Sequence, residues 1–253
     1  MTKRNIKLII EYDGTKFNGW QIQAQKSRTV QGEIEKVLKK IFKQKIGIAG
    51  SGRTDSGVHA KGQVAHFLTT SDMPHETIRN AVNGNLPRDI AILDAQEMPL
   101  KFHARFSTKR KTYRYTVLNR AAKPALEKNF SLHHPQKLNI RKMRREAGAL
   151  IGKKDFRSFM ASDSAQRDKK DQKNTVRHVY RLDITKKEEH VFFDIEANGF
   201  LYKMVRNIVG TLLTAGTEKL PDGSMKSILQ QKNRNCAAKT APAHGLCLWE
   251  VTY

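Results

Sequence analysis

The sequence predicts an α+β protein, and three observations carry that prediction. Apolar residues alternate with polar ones from Ile6 to Tyr12, the period of a strand, and recur every three or four positions from Val30 to Phe42, the period of a helix. Segments of both kinds are mixed along the chain without the regular β-α-β alternation of a doubly wound parallel sheet. In the first strand Ile6, Leu8, Ile10 and Tyr12 face one way, Lys7 and Glu11 the other, and the turn Asp13-Gly14 ends it. In the first helix Ile34, Val37, Leu38, Ile41 and Phe42 form the apolar stripe, with Lys36, Lys39, Lys40 and Lys43 opposite. Val64 to Phe67 reads as a strand, His75 to Val82 as a short helix and Ile90 to Leu93 as a strand. Thr112 to Leu118 is another strand, with Tyr113, Tyr115 and Val117 on one side. The second half continues with a basic helix near Ile140 to Leu150, strands at Val176 to Ile184 and Val191 to Ala197, helices at Lys203 to Ala215 and near Ser224 to Gln231, and a strand at Leu246 to Val251. Between them Arg167 to Asn174 is a mixed charge run with no apolar residue, which reads as a surface loop able to touch a charged partner.

With 253 residues the chain is long enough to bury a sizeable core, as one domain or two closely packed halves. Lys and Arg number 47 against 24 Asp and Glu, and the resulting formal charge of +23 makes a polyanion the natural partner. Charge alone does not separate nucleic acid from an anionic membrane. No apolar stretch approaches the roughly 20 residues that cross a bilayer, and Met-Thr-Lys-Arg-Asn opens no secretory segment, so the reading is a cytoplasmic protein without a membrane partner. Cys236 and Cys247 lack the paired Cys or His spacing of a zinc site and read as structural thiols.

The stretch Gly52-Arg53-Thr54-Asp55-Ser56-Gly57-Val58-His59 places one carboxylate between two glycines in a chain crowded with cations. Taken alone, Asp55 is an Asx-turn residue bonding its own backbone, or a carboxylate held in a loop for chemistry. Arg53, two residues earlier, can turn toward the same cleft. Farther on, Met204, Val205, Ile208, Val209, Leu212 and Leu213 form a helical apolar stripe. Arg206 lies beside that stripe near the helix start, where a cation meets the unfavourable end of the macrodipole and calls for an anion. Tyr113 and Tyr115 share a strand face, which packing alone would make core. Lys101, Arg105, Lys109, Arg110, Lys111 and Arg114 crowd one segment, and Arg141, Lys142, Arg144 and Arg145 another; the surplus points to phosphate contact by at least one cluster.

Continuing as Ala60-Lys61-Gly62-Gln63-Val64-Ala65-His66-Phe67, this stretch resembles the signature G-R-T-D-x-G-V-H-x-x-x-Q-V-x-H-F of the tRNA pseudouridine synthase A (TruA) family. Glu11 to Gln23 is similar to the family's opening Y-D-G-x-x-x-x-G-W-Q. Asn85-Leu86-Pro87-Arg88-Asp89-Ile90, Phe102-His103-Ala104-Arg105-Phe106-Ser107 with Tyr113-Arg114-Tyr115, Asn198-Gly199-Phe200, Met204 to Gly210 and Ala241-Pro242-Ala243-His244-Gly245-Leu246 follow in the family's order. Ser56 stands where the family commonly has alanine, and Ser162 to Asn174 matches no family block.

The resemblance implies the pseudouridine synthase fold. Its two related α/β halves, here 1–104 and 105–253, form an extended, mixed, largely antiparallel sheet flanked by helices, with a central cleft. It also implies a cofactor-independent isomerase that turns uridine into pseudouridine at positions 38, 39 and 40 of the tRNA anticodon arm, working as a homodimer with tRNA across both subunits. By the same resemblance Asp55 is the catalytic carboxylate, Arg206 its partner and Tyr113 the active-site tyrosine, whose ring can stack on uracil. Arg53 assists flipping of the target base or contacts a phosphate, His59 has a pocket or packing role, and Lys109, Arg110 and Lys111 bind the RNA backbone. Two rivals are a non-catalytic RNA-binding module, which leaves Asp55, Tyr113 and Arg206 unexplained, and a metal-dependent nuclease, which needs clustered acids the signature lacks. No metal site is read from His59 and His66.

Overall fold

The structure is a computed structural model that describes residues 2–23, 27–161 and 174–253. The architecture is α+β, in two compact units. Residues 1–109 together with 247–253 form the first, and 110–246 the second. The charge run Arg167 to Asn174, apart from Asn174, lies outside the described residues.

In the first unit, β1 (Arg4–Tyr12) is flanked by two antiparallel neighbours, β3 (His59–Thr69) and β4 (Ile90–Met98), while the two-residue β2 (Ala49–Gly50) pairs with the far side of β3. The unit's last strand, β10 (Leu246–Thr252), runs parallel to β3, with Cys247 opposite His59. The predicted alternation holds: Ile6, Leu8 and Ile10 are fully buried. Over them lie α1 (Val30–Phe42), capped by Thr29 accepting from the Gly32 amide, and α2 (His75–Asn83), which bury Ile34, Leu38, Ile78 and Val82. β3 and β4 extend well past the predicted Val64–Phe67 and Ile90–Leu93. The physical reason in β3 is burial on both faces: Val64 packs with Phe102, Ala104, Val251 and Tyr253 on the face away from the helices, so the strand lacks a clean polar alternation.

The second unit orders its main strands β5 (Arg110–Leu118), β9 (His190–Ala197), β8 (Val176–Lys187) and β7 (Gly152–Asp155), all antiparallel, with β6 (Leu132–His133) parallel to β5. Among the described residues three helices accompany them: α3 (Ile140–Gly148), α4 (Met204–Gly216) and α5 (Ser224–Gln231). Most of α4 is buried, including Asn207 and Thr211. Asn207 is satisfied there: its amide donates to the Phe159 carbonyl at 2.7 Å and its oxygen accepts from Thr240 at 2.6 Å. Glu146, almost wholly buried on α3, accepts from the Gly223 and Met225 amides and so places its carboxylate at the start of α5. Three cations of α3 make contacts within the unit. Arg144 donates to the Ile184 carbonyl, Lys142 to that of Leu220, and Lys142 and Arg145 both pair with Asp222.

Candidate active site

Asp55 sits in the loop between β2 and β3, half-buried, and the backbone on either side of it is fixed by distant segments of the first unit. Ahead of it, the Ser51 amide donates to the Val64 carbonyl and the Gln63 side chain donates to the Gly52 carbonyl at 3.0 Å. The Thr54 carbonyl accepts from the Trp20 amide at 3.1 Å. Behind it, the Gly57 amide and the Ser56 hydroxyl both donate to the Phe17 carbonyl, and the Val58 amide closes a turn on the Asp55 carbonyl. Along this stretch Arg53 is exposed, Thr54 buried and Asp55 half-buried.

The opening motif explains its glycines here. Gly19 has φ +85°, and a Cβ on it would stand 2.5 Å from the Thr54 carbonyl oxygen, so any other residue both strains its own backbone and pushes the Asp55 loop away. His59, buried at the start of β3, accepts from the Gly14 amide through Nδ1 at 3.0 Å, with Asp13 Oδ1 3.2 Å from the same nitrogen. It ties the opening motif to the end of the loop.

His66 is placed on β3 away from that loop. Its Nδ1 accepts from the Ala104 amide at 3.2 Å and its ring lies edge-on to His103. Burial, with a smaller push from His103, holds its pKa below the ordinary histidine value, so it stays neutral at pH 7.

Tyr113 and Arg206 belong to the second unit. Tyr113 is buried on β5 with its ring edge-on to Phe200 at a centroid distance of 5.1 Å, which gives the Asn198-Gly199-Phe200 motif an aromatic contact that spacing alone did not reveal. Tyr115, on the same strand face, spends its hydroxyl on the Pro242 carbonyl at 2.8 Å. Burial pushes its pKa up, against a smaller opposing effect of the Arg206 charge, so it remains a protonated donor. Arg206 lies in the first turn of α4 as predicted. Its Nε donates to the Ala241 carbonyl at 2.8 Å, and the Ala241 amide donates back to the Arg206 carbonyl. The Ala241–Leu246 motif is thereby a brace, holding Arg206 at Ala241 and Tyr115 at Pro242. Gly210 allows it to approach, since a Cβ there would stand 2.0 Å from the Lys239 carbonyl oxygen.

At the boundary of the two units, Lys109 and Arg110 are exposed and Lys111 is half-buried. Arg110 pairs with Glu196 at 2.9 Å and lies over the Tyr180 ring. Arg114 is held by both oxygens of Asp194. Among the described residues no group of three or more His, Cys, Asp or Glu side chains converges on one point.

A family model described as tRNA pseudouridine synthase matches residues 8–107 and 147–253. The tRNA pseudouridine synthase A of Bacillus pumilus is 46% identical over 250 residues, covering 98% of each chain. That of Caldicellulosiruptor bescii is 44% identical over 250 residues, covering 99% of this chain and 100% of its own. Among solved structures, a Cbf5-Nop10-Gar1 complex aligns with 82% of this chain and 53% of its own at a TM-score of 0.33 and 13% identity, a slight likeness beside these full-length matches.

Proposed function

Because the chain belongs to the tRNA pseudouridine synthase family, we propose that it isomerises uridine to pseudouridine at positions 38, 39 and 40 of the tRNA anticodon arm, with Asp55 as its catalytic carboxylate and no cofactor. The observation that carries this reading is the Asp55 loop: a single half-buried carboxylate, two residues from an exposed arginine, in a backbone held from both sides. The reaction breaks the N1–C1′ bond, turns the detached uracil and joins C5 to C1′; the hydrogen on C5 leaves as a proton and one returns to N1, so nothing is consumed. Asp55 serves it ionised, by attack on C1′, by addition to C6 or by taking a proton from C2′. Arg206 pairs with the carboxylate, and Tyr113 stacks on the uracil and assists proton transfer at C5. Arg53 attends the flipped nucleotide, and His59 supports the pocket by bracing the loop from behind. The net charge favours a polyanionic substrate. No helix among the described residues is long and apolar enough to cross a membrane, and the site of action we propose is the cytoplasm. Mapping pseudouridine in tRNA from cells lacking the protein tests the substrate: uridine is expected to persist at 38 to 40, and pseudouridine retained there would refute the assignment.

Backbone contacts are a separate matter from chemistry. Replacing Lys109, Arg110 and Lys111 by Ala is expected to weaken tRNA binding and flatten its salt dependence, each lost phosphate contact lowering the slope of log K against log salt by roughly 0.7–0.9. Arg110, already paired with Glu196, contributes least. An unchanged slope in filter binding across a salt series would place the RNA elsewhere. An anticodon arm also spans more surface than one cleft, and the proposed assembly is a twofold homodimer. Light scattering at assay concentration is expected to return twice the chain mass; a fully active monomer would contradict it.

A further inference from the structure

Resting on the reading of Asp55 as the catalytic carboxylate, we infer that Tyr12, Thr54 and Gln63 are positioning residues, a buried hydrogen-bond relay that aims Asp55 by fixing the residue before it. Tyr12 is 3% exposed, Thr54 4% and Gln63 0%. The Tyr12 hydroxyl and Thr54 Oγ1 are 2.7 Å apart. Gln63 anchors the same stretch: its Oε1 accepts from the Ser51 hydroxyl at 2.7 Å and the Val64 amide at 3.2 Å, and its amide nitrogen donates to the Gly52 carbonyl.

The sheet builds this meeting point. Gln63 pairs with Ile10 across β1 and β3 and so shares a face with Ile10 and Tyr12, whereas Tyr12 pairs with Ala60, leaving an extra residue in β3 between Ala60 and Gln63. A bulge of this kind re-aims a side chain.

The bonds to Ser51, Gly52 and Thr54 fall on the stretch directly ahead of Asp55. Holding the Thr54 hydroxyl at the buried Tyr12 fixes the residue from which the direction of the Asp55 side chain is set. If that bond is lost, the loop keeps its backbone contacts to Trp20 and Phe17 but gains freedom to rotate about Thr54, and the carboxylate wanders. The Tyr-Asp-Gly and Gln-Val motifs, which have no role in the chemistry itself, thereby acquire one in aiming it.

Thr54→Val keeps the shape and removes the hydroxyl; Thr54→Ser keeps the hydroxyl and removes the methyl. Single-turnover tritium release from tRNA labelled at uracil C5 is expected to fall at least about tenfold in Thr54→Val and in Tyr12→Phe, with tRNA Kd held within about twofold, since small misplacements of a reacting group act on rate rather than on binding. Thr54→Ser recovers the rate to within about threefold, and the double variant is no slower than either single one, because both break the same relay. Ile78→Val, in the core under α2 and off the relay, controls for stability. The inference is overturned by a Thr54→Val rate equal to wild type, by a loss no greater than that of an Ile78→Val protein with the same melting temperature, or by no recovery in Thr54→Ser. A wild-type protein that releases no tritium overturns the reading of Asp55 beneath it, and the relay with it.

Discussion

Asp55→Asn is expected to bind tRNA as the wild-type protein does and to release no tritium above background from tRNA labelled at uracil C5. Joining C5 to C1′ must expel the hydrogen on C5, so the label reports the new bond itself. Asparagine preserves the side chain's size and most of its hydrogen bonding while removing its charge and nucleophilicity, so binding and chemistry separate cleanly. The loop backbone is held independently, by the Trp20 amide and the Gln63 side chain ahead of Asp55 and by the Phe17 carbonyl and the Val58 amide behind it. Measurable turnover by a folded Asp55→Asn protein would refute the assignment of the carboxylate. The rivals give different outcomes in the same assay: a binding module releases nothing even as wild type, and a nuclease shortens the RNA and stops on chelation.

Arg206→Ala ranks next in effect. Its Nε–H is committed to Ala241, so the proposed pairing with Asp55 would fall to the two terminal NH2 groups of the guanidinium, and the first turn of α4 already carries the positive end of the helix dipole. A cation placed there is costly unless a carboxylate answers it. If Arg206 holds the reacting carboxylate in place, its loss is expected to slow turnover by about a hundredfold or more, the scale of a small misplacement of a reacting group, whereas tRNA affinity should change little because the proposed phosphate contacts lie elsewhere. Arg206→Lys is expected to recover only a small part, since an ammonium cannot brace against Ala241 and hold a carboxylate with separate donors of one rigid fork. Turnover near the wild-type rate in Arg206→Ala, measured at saturating tRNA, would remove Arg206 from the site.

Much of this was legible in the sequence for identifiable reasons. β1 and α1 each bury one face and leave the other wet, so their periods are clean, and both begin or end within two residues of where the pattern places them. The Asp55 loop was legible because unusual residues are concentrated in one contiguous run. What stayed hidden depends on partners far along the chain. β7 is a short polar edge strand, Gly-Lys-Lys-Asp, whose identity comes only from pairing with β8. The basic face of α3 reads locally as a phosphate track, while the structure shows that Lys142, Arg144 and Arg145 also make bonds to Leu220, Ile184 and Asp222, which local spacing does not reveal. In the same way the opening motif and the Ala241–Leu246 motif carry no visible chemistry. Their use is to brace Asp55 in one unit and Arg206 in the other, and bracing is a property of three-dimensional neighbours, not of spacing.

The parallel strand β10 sets an order of events during synthesis. It comes from the far end of the sequence, after the whole second unit, yet it pairs with β3 beside the end of the Asp55 loop, Cys247 against His59. As the chain leaves the ribosome, residues 1–109 emerge with β1, β2, β3 and β4 able to pair, but with that stretch of β3 still an open edge. Closing it requires a contact across almost the full length of the chain, the slow kind of step in folding, and until then an unpaired strand edge is available to other chains. The half that carries the carboxylate is thus the first to be made and the last to be finished, so that catalytic competence arrives only when synthesis has passed through the arginine, the tyrosine and the strand that seals the sheet.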